Sequence, residues 1–305
     1  RTDDIEIPEL LSEETYQMSV SQVRTQFRNM MNGSLRKKRI NYQLGKQFRH
    51  MMHTMIDELS EKKDTLMMLS RIRTSDDELY QHSVEVCTYA LMLGIAQGFA
   101  REELAVFGLG ALLHDLGKTQ LPNELLRKRG QVTKEEARQI EQHAMLGFQM
   151  LKDEPNISLI TAHCALQHHE RLNGSGYPRR LKGDEIHDYA QWIGLIDTYD
   201  ILTTRGFQGT PLLPHLALEA LLTQSGNLFD AAKLEIFRNK IALYPIGICV
   251  TLNTGEQGIV VDNNSHCPQR PVVRILQDES GNEMKEPIEL DLSKRLDIMV
   301  EGIVY

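Results

Sequence analysis

Hydrophobic and polar positions follow three different patterns along these 305 residues. In residues 1–75 the clearest pattern is Met51, Met52, Met55, Ile56 and Leu59, whose three-to-four spacing predicts an amphipathic helix. The rest of that stretch is polar and rich in helix formers, so it is expected to be an N-terminal helical segment that packs on the remainder or on a second copy in a homodimer. Residues 76–243 read as successive helices with short connections. They are expected at Leu79–Gln97, Glu102–Leu116, Thr133–Leu151, after Pro155 to about Glu170, Asp184–Thr203, Pro214–Thr223 and Asp230–Leu243. Thr133 with Glu136 has the capping-box spacing that marks a helix start. No strand–helix alternation appears, so this region is all-α. From residue 244 the pattern changes to short β-branched runs (GICVTL, GIVV, PVVRIL, DIMVEGIVY) separated by the turn signals NTGE, DNNS and DESGN. The expected architecture is mainly α, a helical bundle with a small C-terminal antiparallel β appendage over 244–305.

Charge and cysteine content narrow the function classes. The net charge is −8, distributed as +3 over residues 1–75, −6 over 76–243 and −5 over 244–305. That balance argues against DNA or an anionic membrane as partner. The basic run Arg36, Lys37, Lys38 and Arg39 reads as a solvated face. An anionic substrate would need bound cations to reverse the field of an acidic domain. The longest apolar run, Leu104–Leu113, covers half of the roughly 20 residues that a membrane span requires. Cys87, Cys164, Cys249 and Cys267 form no CxxC pair, which disfavours a disulfide framework or thiolate zinc and favours a reducing cytoplasm. The chain opens on Arg1, so it is read as a piece of a longer protein, with an upstream sensory or membrane portion possible.

Seven of the eleven histidines fall between residues 82 and 187, beside carboxylates in apolar helices. An unpaired imidazole or carboxylate there costs several kcal/mol, roughly 2–7 for a polar group. Hydrogen bonds can satisfy such residues singly, and a shared metal centre satisfies them together. Glu78 and His82 are four apart and share a helix face. His114 and Asp115, read as lying on one helix, are about 100° apart and can reach different ions, with the carboxylate as bridge. His143, the pair His168–His169, and Asp197 come from three further helices. Imidazole plus carboxylate without thiolate favours first-row ions such as Fe, Mn, Ni or Zn in an open site over a closed structural zinc. Two or three divalent ions are expected, Fe or Mn first. Ligands from five helices suit a bundle core.

HDLGK at 114–118 and HHERLNGSGYP at 168–178, with His82 and His143 correctly placed, resemble the HD-GYP family of HD-superfamily phosphodiesterases. The resemblance covers residues 76–243. It implies an HD-type bundle that hydrolyses a cyclic dinucleotide, chiefly cyclic di-GMP, to a linear product or mononucleotide. It further implies His82, His114, Asp115, His143, His168, His169 and Asp197 as ligands of two divalent ions, with Glu78 serving a third. Two such ions about 3.5–4 Å apart suit in-line displacement at phosphorus. Asp115 and Lys118 are then the catalytic pair, Lys118 standing near the reacting phosphoryl group. Gly176, Tyr177, Lys118 and Arg205 are expected to meet substrate, Gly174 and Gly176 by allowing close backbone approach. The loop 173–178 is also expected to dock signalling proteins.

This chain departs from the family in three places. Asn173 stands where Asp is common, DTYDILTTRGFQ is one residue short before Arg205, and Phe207 and Gln208 replace the more usual Tyr and basic residue. The alternatives are therefore a phosphodiesterase for hybrid cyclic GMP-AMP, or a catalytically weak receptor acting through partner binding. His163 and Asp200 are expected behind the ligands, and Arg171, Arg179, Arg180 and Lys182 either in solvent or steering phosphate.

Overall fold

The apolar stripes and caps read above produce ten helices and five strands among the described residues of the computed structural model, 4–5, 8–33, 42–68, 77–126, 128, 132–206 and 210–304. The helices are α1 (Glu13–Gly33), α2 (Tyr42–Ser60), α3 (Glu78–Ala96), α4 (Arg101–Leu113), α5 (Asn123–Leu126), α6 (Lys134–Leu151), α7 (Leu159–Gln167), α8 (Asp188–Thr204), α9 (Pro214–Leu222) and α10 (Ala231–Arg238). Two 3-10 turns, Leu116–Gln120 and Gly183–Glu185, lie between them. The basic run 36–39 and the positions of Phe207 and Gln208 lie outside the described residues.

The five-residue apolar stripe on α2 is buried and shares one core with Leu91, Phe107, Leu112 and Ile193. This places the N-terminal helices against the same core as the site helices. Close crossings explain two glycines of α4. A Cβ at Gly108 would lie 2.6 Å from Leu91 Cδ2 and 3.0 Å from Met52 Sδ, and one at Gly110 would lie 2.8 Å from Cys164 Sγ. Burial pushes the Cys87 and Cys164 thiols up, which keeps them protonated and inert. Thr133 and Glu136 form the predicted capping box on α6.

Several boundaries differ from the sequence reading. The helix expected through Leu116 ends at Leu113; Asp115 has φ −99° and ψ 7°, and a 3-10 turn follows. The turn lies tightly against α6, whose His143 carbonyl would lie only 1.9 Å from a Cβ on Gly117. His114 and Asp115 therefore do not project from one continuous helix. The helix expected from Asp184 starts at Asp188, where the imidazole of His187 accepts from Tyr189 N at 3.1 Å. The last helix stops at Arg238 rather than Leu243, and Ile241 instead forms a bridge with Met67.

The C-terminal strands β1 (Cys249–Leu252), β2 (Gln257–Asp262), β3 (Val272–Gln277), β4 (Glu283–Asp291) and β5 (Val300–Ile303) form one antiparallel sheet in the order β4-β3-β2-β1-β5. The sequence reading missed β4 because this edge strand is mostly exposed, its alternation of Met284, Ile288 and Leu290 is interrupted by Glu286, and it contains Pro287. Val250, Val260 and Val273 bury one face of the sheet against Leu66, Met68, Ala242 and Ile246. Among the described residues, no helix is long and apolar enough to cross a membrane.

Candidate metal centre

Five helices deliver ligand-type groups to one buried volume. His82 projects from α3, His114 and Asp115 follow α4, His143 lies in α6, His168 and His169 follow α7, and Asp197 lies in α8. Three sets of donor atoms converge within 4.8 Å: Asp115 with His143, His168 and His169; His82 with His114 and Asp115; and His114 with His168 and Asp197. Asp115 belongs to the first two sets. Its Oδ1 lies 3.3 Å from His143 Nε2 and 3.7 Å from His168 Nε2, while Oδ2 lies 3.5 Å from both His82 Nε2 and His114 Nε2. Asp115 thus stands between two groups of imidazoles although the helix beneath it is broken.

The hydrogen bonds on the outer side of each ring determine what faces inward. Nδ1 of His114 donates to Ala111 O at 2.6 Å, that of His143 to Ile140 O at 2.6 Å, and that of His168 to Ala165 O at 3.0 Å. In the neutral ring, Nε2 then carries the lone pair. His82 donates Nδ1–H to Asp200 Oδ2 at 2.6 Å, the carboxylate-behind-imidazole arrangement that raises ligand basicity. Inside, His82 Nε2 stands 3.2 Å from His114 Nε2, and His143 Nε2 stands 3.3 Å from His168 Nε2. Asp115 Oδ1 and Asp197 Oδ1 are buried and accept no hydrogen bond. Between His143 and His168, whose rings reject protons, lone pair faces lone pair with no mutual hydrogen bond, while protons on His82 and His114 would face Asp115 and Asp197 until a cation displaced them. Each buried orphan costs roughly 1–3 kcal/mol. A divalent cation satisfies this arrangement, so the donor set fits metal.

Electrostatics divide the site. Burial opposes charging His82, but Asp200, Asp115 and Asp197 outweigh it and hold its pKa well above the ordinary value. The same contest, against Asp115 and Asp197, raises His114 to about 9. Burial dominates at His143, with Lys118 and His168 adding to it, and pushes its pKa down to about 3. It also lowers His168 and His169. Asp115 and Asp197 both stay ionised despite burial, Asp115 chiefly through Lys118 and His114, and Asp197 through His114 and His82.

The remaining candidates occupy the rim. Lys118 Nζ pairs with Asp115 Oδ2, which puts a cation beside the shared carboxylate. Glu78 is one turn before His82, but its Oε1 accepts from Arg205 Nε at 2.6 Å, and it is absent from the converging sets among the described residues. Arg205 is therefore found in an ion pair, 48% exposed. Tyr177 stacks on His169 with centroids 4.6 Å apart. Gly176 is required by the protein's own packing, since a Cβ there would lie 2.3 Å from His169 O. Asn173 Oδ1 caps its own turn by accepting from Ser175 N, and its amide donates to Asn227 at 3.0 Å, so this departure supports the loop.

Glu170 had no assigned role in the sequence reading. Its two carboxylate oxygens accept from Arg179 N at 2.7 Å and Leu181 N at 3.0 Å, which clamps the loop onto the histidine pair. A Glu directly after the histidine pair was the available signal. Arg171 does not lie in solvent; it turns inward onto the carbonyls of His168 and Glu170. His163 stands beside Phe148, outside the donor sets.

The pattern of the HD domain family matches residues 53–232, and that of a KOW domain associated with HD domains matches residues 249–304. The chain is 31% identical over 232 residues to a cyclic di-GMP phosphodiesterase of Pseudomonas aeruginosa, covering 72% of this chain and 54% of that one. It is 26% identical over 197 residues to a 3'3'-cGAMP-specific phosphodiesterase of Vibrio cholerae, covering 64% of this chain and 38% of the relative. An HDG"Y"P protein from Bdellovibrio bacteriovorus shares the fold, with a TM-score of 0.57 at 18% identity over 74% of this chain and 69% of that one. The chain spans about half the length of the first curated relatives it matches. The family match takes in more than half of the chain and all the helices that deliver donor atoms, and with the HHE and GYP elements in place this chain belongs to the HD domain family, in its HD-GYP branch.

Proposed function

We propose that this chain hydrolyses a phosphodiester bond of a cyclic dinucleotide with bound divalent ions, and that cyclic di-GMP is the substrate. The observation that carries this reading is the inward convergence of imidazole Nε2 atoms and carboxylate oxygens around Asp115 Oδ1 and Asp197 Oδ1, which lack hydrogen-bond partners. His143, His168, His169 and Asp115 would hold one ion, His82, His114 and Asp197 the other, with Asp115 shared. Glu78 would reach a third if Arg205 released it. An imidazole and carboxylate set without thiolate suits first-row ions such as Fe, Mn, Ni or Zn rather than a closed structural zinc site, and Fe or Mn is the occupant proposed. Such ions supply Lewis-acid polarisation and a nucleophilic water near neutral pH.

The chain's own groups divide the remaining work. Lys118, beside Asp115 and partly exposed, is placed to donate to a phosphoryl or leaving oxygen. Asp200 fixes the tautomer of His82. Tyr177 packs against His169 at the loop and can offer its hydroxyl to substrate, because burial keeps it protonated. Arg205 can exchange Glu78 for a phosphate, since a half-exposed ion pair is worth at most about 1 kcal/mol.

A hybrid cyclic GMP-AMP is the second reading, supported by the similarity to a 3'3'-cGAMP-specific relative. The linear dinucleotide and the mononucleotide are both candidate products, and a cytoplasmic setting suits either substrate. The test is metal analysis of anaerobically purified protein coupled to turnover of cyclic di-GMP and the hybrid. Two or more ions per chain with cyclic di-GMP hydrolysis support the proposal. Release of product from the hybrid alone would overturn the substrate assignment, and folded protein that takes up no ion would overturn the reaction.

A further inference from the structure

Arg171 follows the histidine pair directly, and its guanidinium joins two elements that both carry ligands. Nη1 donates to His168 O at 2.9 Å and Glu170 O at 2.8 Å, while Nη2 donates to Thr198 Oγ1 at 3.2 Å. The Thr198 hydroxyl spends its own proton on Gly194 O at 2.6 Å, so its lone pair is free for the arginine. His168 caps the C-terminus of α7, where carbonyls lack intrahelical partners. Thr198 adjoins Asp197 on α8. The two elements also meet backbone to backbone: a Cβ on Gly194 would lie 2.3 Å from His168 O and 3.1 Å from Arg171 Nη1. Phe229 covers the guanidinium, with Cζ 5.0 Å from its ring centroid.

We infer that Arg171 is a positioning residue, whose planar fork fixes the end of α7 to α8 and thereby sets the separation of the His168–His169 pair from Asp197. This rests on the metal-dependent reading above. A lysine cannot replace it, because one ammonium on a flexible stem does not span two carbonyls and a hydroxyl on opposite sides. Groups that orient metal ligands from behind typically change metal affinity roughly 10- to 100-fold when substituted. Arg171 acts through backbone carbonyls rather than through the imidazoles.

The experiment is Mn(II) titration of the full chain, with the EPR spectrum of the loaded protein as the record of coupling between neighbouring ions. Wild type, Arg171→Lys, Thr198→Val and the double variant are compared, with melting of the metal-free proteins measured alongside. Arg171→Lys is expected to bind Mn(II) at least roughly 10-fold more weakly, with an altered coupling pattern. Thr198→Val is expected to shift both readouts the same way by less, and the double variant to be no worse than Arg171→Lys alone. Native affinity and coupling in Arg171→Lys, even with a lower melting temperature, would overturn the inference by reducing the residue to a fold contact. If Arg171→Lys does not fold, Thr198→Val decides, and native affinity and coupling there overturn the inference. A wild-type chain that shows no coupled Mn(II) pair would instead remove the functional reading beneath it.

Discussion

The two halves of the candidate centre are built from the same residue types and treat protons in opposite ways. Around His82 and His114, the carboxylates of Asp115, Asp197 and Asp200 crowd the imidazoles, and both rings hold protons above the ordinary histidine range. Around His143, His168 and His169, three imidazoles share Asp115 while Lys118 stands nearby, and all three rings reject protons. The second half is ready for a cation at neutral pH. The first must exchange protons for one. Two adjacent cation positions can thus differ in affinity and pH response without differing in ligand chemistry.

The largest effect is expected where the halves meet. Asp115→Ala should remove the shared carboxylate and lower turnover on the order of 1,000-fold or more, read in steady-state kinetics on cyclic di-GMP. Turnover within 10-fold of wild type would deny the halves a common ligand. Splitting them comes next. His143→Ala should lose the ion of the proton-rejecting half and His114→Ala that of the other, each retaining about one ion by elemental analysis. Equal loss of all metal from both variants would show one cooperative cluster instead.

The proton contrast predicts opposite stability trends in the metal-free protein. His114 has a folded pKa of about 9 against an ordinary 6.5, so its contribution is complete below 6.5 and is lost as pH rises through about 9. His143 has a folded pKa of about 3, so its neutral form favours folding above 6.5 and stability is lost as pH falls towards 3. Each slope amounts to a few kcal/mol at most, on the order of 1.4 per pH unit. Urea melts across pH 4–9 should therefore show a maximum near pH 6–7, flattened at the alkaline side by added Mn(II). A monotonic profile would contradict the division. The smallest effect is expected at the rim: Glu78→Gln should change unfolding free energy by less than about 1 kcal/mol and leave the ions of both halves bound. An ion missing from that variant alone would identify Glu78 as a ligand in the loaded protein.

Periodicity made the helices legible, and residue type made the donor set legible, because a buried imidazole beside a carboxylate needs a reason. The 3-10 turn after Leu113 was not legible, since it packs against α6, which begins 21 residues after Leu113. Arg171 and Glu170 were misread or passed over for a related reason. Their partners are backbone atoms, and a sequence carries no mark of which carbonyl or amide a side chain will find. The edge strand β4 escaped because Glu286 and Pro287 interrupt the alternation of Met284, Ile288 and Leu290.

Gly117 deserves its place in the HDLGK motif although it offers no donor atom. One methyl group there would collide with the His143 carbonyl and with Gly147 N, 1.9 and 2.6 Å away. Relief would require the whole of α6 to back away, carrying an imidazole with it. A search for degenerate relatives that inspects only histidines and aspartates would thus score such a chain as intact while its cation cage stood open on one side.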